Sequence, residues 1–377
     1  MKLKELQLSN FKSFKSLDLD LSNFNLLCGP NSVGKSTIIQ SLLLFMQNHR
    51  ELMYSQVLSK KGEMTNFDIN GDIIKLGAER SLLNFEAEND QFCIKLSLAK
   101  GELVVIHDRT SGWKAEFLKG GEVKNTEADV LLSINTLSEI KYLSTNRIKP
   151  RITYNLSKID IERGSIGVGG EYTAHYLSEY KSRPLSIASL VHPASTTDNL
   201  LENVSNWLTE ISGNISVNAK VINEAQAAAI TYNYAYGMTR TDDITPLNVG
   251  FGITHVLPVI TLLLTAKVGD CLIIENPEAQ LHPSGQAKIA NLMSLVAAQG
   301  VQLIVETHSD HILNAIRVAT KESVLNTDMT RVYFFDREEN CLSARKNTIE
   351  IIADGSVDKW PAGFFDEWDK QLDKLIW

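Results

Sequence analysis

The sequence predicts an α/β protein whose mainly parallel sheet is flanked by helices, with an antiparallel β arm and an inserted helical lobe. Three observations carry that expectation. Apolar runs of strand length at 271–274, 303–305 and 332–335 alternate with segments of helical spacing after residue 245. A glycine-rich stretch, Gly29 to Ser36, separates an apolar run at 24–28 from another helical segment. Short runs broken by Gly, Asn and Asp fill residues 65–125. Strands that are apolar on both faces and separated by helices belong in a sheet covered on both sides.

The opening residues alternate apolar and polar positions, at Leu3, Leu6 and Leu8 and again at Leu17, Leu19 and Leu21. That period of two reads as a hairpin feeding the buried strand at 24–28, with Phe11 and Phe14 at its turn. From Ser36 to about Asn48, the residues Ile38, Ile39, Leu42, Leu43 and Met46 recur at helical spacing. Runs at 67–69, 73–76, 82–86, 92–98 and 103–107 read as strands of the arm.

Between 125 and 245, helical stretches at 128–143, 199–211 and 223–229 surround a Gly-rich turn at 164–171, which reads as an inserted lobe. Beyond it, helices at 253–266, 284–298 and 311–319 separate the apolar strands, and Gly300 ends the second helix. The expected organisation is an N-terminal lobe with the arm over 1–125, a mainly helical insertion over 126–244 and a C-terminal lobe over 245–377. No repeat of fixed period, heptad run or low-complexity tract is visible.

A chain of 377 residues with 44% apolar content can fill a substantial core. Its longest apolar window, 256–266, falls well short of the roughly 20 residues a membrane span needs. The start, Lys2-Leu3-Lys4-Glu5, lacks an apolar signal core, so a cytoplasmic location without a membrane partner is expected. Cys28, Cys93, Cys271 and Cys341 lie far apart without metal-type spacing and read as reduced and mostly buried. A net charge of −8 gives no global attraction to nucleic acid, so any DNA contact would come from a local basic patch or a partner.

Gly29-Pro30-Asn31-Ser32-Val33-Gly34-Lys35-Ser36 has the spacing of a P-loop, and it stands between a strand and a helix as that motif requires. Glycines let successive backbone N–H groups wrap phosphates while the helix aims its positive end at them. Gly29, Asn31, Gly34, Lys35, Ser36 and Thr37 are therefore the expected contacts of ATP. Lys35 would reach the β- and γ-phosphates, and the Ser36 hydroxyl would ligate Mg²⁺.

Where the buried run 271–274 ends, Glu275 and Glu278 place carboxylates at the edge at which open α/β sheets bind ligands. Glu275 is the expected carboxylate on the Mg²⁺ side. The run 303–305 ends in Glu306-Thr307-His308-Ser309, where a neutral imidazole would hydrogen-bond a γ-phosphate or an attacking water. Each has a plainer alternative: Glu278 complementing a helix dipole, and His308 capping the next helix.

These segments together resemble the ABC-type ATPase heads of the RecF, SMC and Rad50 group, and within it the short bacterial OLD-like ATPases with a DUF3696-type C-terminus. The resemblance is carried by residues 8–14, the P-loop, Asn248-Val249-Gly250-Phe251-Gly252, residues 275–283 and residues 306–309. It implies that Asn248, Gly250 and Gly252 form a signature loop completing the nucleotide site of a second copy, and hence a head-to-tail homodimer. A plain turn into a helix is the competing interpretation. Residues 279–283 resemble the D-loop, and Lys12 resembles a basic residue near the nucleotide in related heads.

The sequence departs from the family pattern twice. Asn248 replaces the usual signature serine, and Asn276 stands where a catalytic Glu is usual. An amide cannot serve as a general base, so Glu278 or His308 orients the water, or hydrolysis is slow. The resemblance further implies an ATP-driven switch working beside a nuclease in bacterial defence against phage, since no HNH-like or TOPRIM-like centre is evident here. The alternatives are a RecF-like ATPase that binds DNA directly and a nucleotide-binding scaffold with little turnover. Arg147 and Lys149 read as a local basic patch or an ordinary exposed loop. The aromatic stretch 360–365 and the following helix, with Trp368, Leu372 and Leu375 on one side, read as a tail packed on the ATPase or as a docking surface.

Overall fold

A computed structural model describes residues 2–58, 63–64, 66–119, 126–237 and 239–376. Residues 120–125, where the arm was expected to end, lie outside the described residues. The chain forms two compact units that do not follow sequence order. One comprises Met1–Ile140, Thr330–Glu350 and Val357–Trp377, and the other Lys141–Met329 and Ile351–Ser356.

The first unit contains an antiparallel sheet in the order Phe14–Asp20, Glu5–Phe11, Gln91–Leu98, Gly101–Asp108, Gly112–Lys119, Glu63–Met64. The N-terminal hairpin is thus part of the arm rather than separate from it. Its register pairs Leu8 with Leu17 and Leu6 with Leu19, so every second side chain enters the core, as the period of two requires. Lys12 makes the hairpin turn in a left-handed conformation, φ 49.

The runs at 67–69, 73–76 and 82–86 do not form strands; isolated bridges join Asn70 to Lys75 and Phe11 to Leu83. The reason is local. Side chains take the places of ladder partners: Gln47 accepts from the N–H groups of Ile73 and Ile74, Asn48 brackets both backbone groups of Asp68, and Asn70 does the same to Gly77.

Also in this unit, the wholly buried strand Phe24–Cys28 runs parallel to Thr330–Asp336, which pairs antiparallel with Arg345–Ile349. The helix Lys35–Gln47 follows the expected spacing and is succeeded by His49–Leu58, which the sequence did not suggest; Glu127–Asn135 opens on a capping box between Thr126 and Asp129. Phe364 is fully buried against Phe334 and Trp360, whereas the helix Glu367–Ile376 leaves Trp368 and Leu375 exposed.

The second unit is built on three parallel strands, Lys141–Leu143, Cys271–Glu275 and Gln302–Glu306, with Cys271–Glu275 in the middle. Helices Phe251–Leu264, Pro283–Ala298 and Asp310–Lys321 agree with the sequence to within two residues at either end. The unit also holds helices Thr173–Tyr180 and Leu200–Ser212 and a hairpin of Ile215–Ile222 with Ala227–Tyr236.

The segment 126–244 is therefore not mainly helical. Its first residues belong to the other unit, and 223–229 holds a single turn and then a strand. Ala227, Ala228 and Ala229 favour helix on their own, but ladder pairing with Ile215–Ile222 and burial of Ala228, Ala229, Ile230 and Tyr232 override that preference. The stretch 128–143 likewise splits into helix, a tight turn at Thr136–Glu139 and the strand Lys141–Leu143.

Among the described residues no helix is long and apolar enough to cross a membrane. All four cysteines are free thiols; Cys28 and Cys271 are buried, Cys93 is half-buried and Cys341 is exposed. Burial pushes the Cys271 thiol up to about 12, which leaves it a protonated, unreactive core group.

Candidate functional site

In the first unit the strand Phe24–Cys28 ends at Gly29, whose φ of +140 places an imagined Cβ 2.2 Å from the carbonyl oxygen of Phe335. Gly34, at φ +99, would set a Cβ 2.9 Å from the Phe14 ring. A neighbouring strand and the N-terminal hairpin thus force glycine at both ends of the loop. Ser32 is also left-handed, φ 65. Left-handed residues interspersed in a loop turn successive N–H groups into a concave anion nest. The helix that follows, Lys35–Gln47, has no side-chain cap and no acidic residue in its first turn to offset its positive end.

Lys35 is buried, and its ammonium donates to the carbonyls of Gly29 (2.9 Å) and Pro30 (2.7 Å). Asn31 and Ser36 are exposed. Thr37 is buried, its backbone N–H donating to Gly34 and its hydroxyl 3.3 Å from that of Ser13, so its side chain serves the protein interior. Lys12 bonds Gln40 at 2.5 Å, and burial lowers its ammonium from the ordinary lysine value. Sequence reasoning missed Arg337, whose guanidinium donates to the Ser32 carbonyl at 3.0 Å. No motif surrounds it.

In the second unit the parallel register sets Glu275 beside Glu306 at the ends of adjacent strands. Glu275 is half-buried and accepts from the Tyr142 hydroxyl (3.0 Å) and the Thr145 N–H (3.1 Å). Burial, and then the Glu275 charge, pushes the Tyr142 phenol up, which keeps it a donor. Asn276 turns in the left-handed region, φ 44, and its N–H reaches the Glu306 carbonyl at 2.8 Å.

Glu278 is buried, and one oxygen, Oε1, accepts from the Thr307 hydroxyl (2.7 Å) and the His308 N–H (3.0 Å). It therefore ties one strand end to the next. His308 presents an exposed side chain; the helix after it is capped by Ser309, which accepts from Ile312. His282 has a structural task, capping the helix Pro283–Ala298 through Nδ1.

Asn248 closes a short turn after Pro246, and Gly250 stands at the N-terminus of the helix Phe251–Leu264, which also lacks a side-chain cap. A Cβ on Gly252 would lie 2.4 Å from the Gln280 carbonyl, so the glycine lets this helix approach the turn that carries Glu278. Gly250 and Gly252 line an open cleft of ≈ 610 Å³ together with His282 and Lys288.

Mg²⁺ takes a few hard oxygen ligands beside phosphate oxygens. Each unit carries a residue of that kind: Ser36, which is exposed, in the first, and Glu275, which is half-buried, in the second. Among the described residues no three His, Cys, Asp or Glu side chains cluster to form a protein-only cage.

The AAA ATPase domain family matches residues 1–165 and 170–313, and the DUF3696 family, of unknown function, matches residues 325–375. Over 85 residues the chain is 31% identical to the DNA replication and repair protein RecF of Protochlamydia amoebophila, a stretch that is 22% of this chain and 23% of that protein. The fold is similar to an SMC head solved with the C-winged helix domain of ScpA, with a TM-score of 0.54 and 12% identity over 93% of this chain and 99% of that one. It is similar also to an SMC head with an extended coiled coil, bound to the C-terminal domain of ScpA derived from Pyrococcus furiosus, with a TM-score of 0.52 and 11% identity over the whole of both chains. The chain thus has the SMC-head fold, and it belongs to the AAA ATPase domain family.

Proposed function

We propose that this ATPase is a switch: two copies close around ATP, and closure or hydrolysis controls an effector protein, a nuclease acting in bacterial defence against phage. The observation that carries the reading is the loop from Gly29 to Ser36, shaped by two obligatory glycines at the uncapped end of a 13-residue helix. Backbone amides there receive the β- and γ-phosphates, and Lys35 exchanges its bonds to Gly29 and Pro30 for phosphate oxygens. Mg²⁺ held by Ser36 and Glu275 would neutralise phosphate charge.

The exposed His308 side chain contacts the γ-phosphate or the attacking water, and Glu278 positions it through the main chain. Asn276 supplies no base, which suits a slow step that times a conformational state. Asn248, Gly250 and Gly252 of the second copy complete the site by aiming an uncapped helix at the γ-phosphate. The SMC heads of similar fold were solved carrying a domain of ScpA, a precedent for a head that holds a partner protein.

The test is the molecular mass of the protein with and without ATP, together with nuclease activity of the neighbouring gene product, for wild type and Lys35→Ala. An ATP-dependent dimer and a nuclease response that both vanish in Lys35→Ala support the switch. A mass unchanged by ATP, or nuclease activity indifferent to Lys35→Ala, refutes it. A second reading, direct DNA binding, draws on the short likeness to RecF; salt-dependent DNA binding by the isolated protein would favour it, against a net charge of −8.

A further inference from the structure

Arg147 lies in the loop after the strand Lys141–Leu143 and is 6% exposed. A single nitrogen, Nη2, donates to the main-chain carbonyls of Glu275 (2.7 Å) and Asn276 (3.1 Å). The other two, Nε and Nη1, are buried without a hydrogen-bond partner. A guanidinium in that position is costly unless nearby carboxylates compensate its charge. Burial pushes it down to about 10, and the negative charges of Glu278 and Glu275 oppose the fall. Glu278 has a matching deficit: its second oxygen, Oε2, is buried and unpartnered. His255, whose Nδ1 is also buried without a partner, is held neutral by burial and then by the Arg147 charge.

A residue needed only to fill this space would be apolar, because replacing buried ionic groups by packed hydrocarbon is often neutral or stabilising. What the guanidinium adds is one nitrogen shared by two consecutive carbonyls around a left-handed asparagine, on a planar group seated in the interior whose charge is felt by Glu278 and Glu275. The same loop is tied by Ser144 and Ile148 to the main chain of Val168 and Gly169, so the arginine is itself firmly seated.

We propose that Arg147 is a positioning residue for the hydrolytic step: it fixes the turn at Asn276 and thereby the directions in which the Glu275 and Glu278 carboxylates leave the strand end. The assignment rests on the nucleotide reading of Glu275 given above. Arg147 touches neither nucleotide nor water in this account; it acts on turnover through Glu275 and Glu278 and leaves nucleotide affinity to the P-loop.

The experiment compares full-length wild type, Arg147→Lys, Arg147→Gln and Lys35→Ala. It reads steady-state ATP hydrolysis, titration with a fluorescent ATP analogue and thermal unfolding. Expected is a kcat lowered about a hundredfold in Arg147→Gln and about tenfold in Arg147→Lys, which keeps the charge but not the planar group that seats the donor, at analogue affinities within about threefold of wild type. Wild-type kcat in Arg147→Gln overturns the assignment, as does a parallel loss of affinity and kcat with lysine no better than glutamine. If Arg147→Gln does not fold, Arg147→Lys decides, and wild-type turnover there overturns it. ATP hydrolysis that persists in Lys35→Ala brings down the nucleotide reading and this inference together, whereas analogue binding without hydrolysis in wild type brings down the inference alone. Hydrolysis that needs Lys35 and ignores Arg147 brings down the inference alone.

Discussion

The hydroxyl of Thr307 donates to the Glu278 carboxylate at 2.7 Å, joining the turns that follow two adjacent parallel strands. Both groups are buried, so neither finds water as a substitute partner. Thr307→Val, nearly isosteric, should lower unfolding stability by about 1–2 kcal/mol, whereas Thr307→Ser should stay close to wild type. Urea unfolding of the three proteins checks this; equal midpoints for Val and wild type would mean the bond contributes nothing.

Two glycines at the start of one helix should respond oppositely to alanine. Gly250 has an ordinary φ of −56, and an added Cβ there meets only the end of Ile253 at 3.8 Å. Gly250→Ala should leave stability within about 0.5 kcal/mol of wild type. Gly252→Ala drives a Cβ to 2.4 Å from the Gln280 carbonyl and should cost about 1–3 kcal/mol. Gly250→Ala is therefore the variant in which a loss of ATP-dependent dimerisation can be read without a loss of fold, with mass measured in both.

Burial, and then the positive charge of Arg147, lowers His255 from 6.5 to about 4. The unfolded chain therefore binds a proton in this interval that the folded chain refuses. The neutral imidazole contributes its full share of stability above about pH 6.5 and loses it as pH falls toward about 4, with an upper bound of about 3 kcal/mol. His255→Gln should flatten that part of the stability profile. Unfolding midpoints of both proteins between pH 7.5 and 4, taken as a difference, isolate the residue; parallel curves would show that His255 does not titrate on unfolding.

The parts of the fold that could be read from sequence are those in which one local signal is strong. Apolar runs such as 271–274 become the buried parallel strands, and helical spacing from Ile38 to Met46 becomes the P-loop helix. The failures have physical causes. Gln47, Asn48 and Asn70 draw the backbone of 67–77 into side-chain bonds, and cross-strand burial converts an alanine-rich stretch at 227–229 from helix to strand. Arg147 read as a local basic patch or an ordinary exposed loop because proline and lysine neighbours mark a loop, and nothing local announces that its guanidinium is buried on the carbonyls of residues more than a hundred positions away. Arg337 was invisible for the same reason. Motifs record local geometry; tertiary bonds to main-chain atoms leave no pattern in residue type.

The central claim, that the loop from Gly29 to Ser36 holds the phosphates of ATP, is met most directly by calorimetric titration of ATP with Mg²⁺ into wild type and Lys35→Ala. Removing an ammonium that pairs with phosphate oxygens should weaken binding by roughly 2–4 kcal/mol, a loss of about thirtyfold or more, while unfolding stability stays near wild type. Equal affinity in the two proteins would contradict the account.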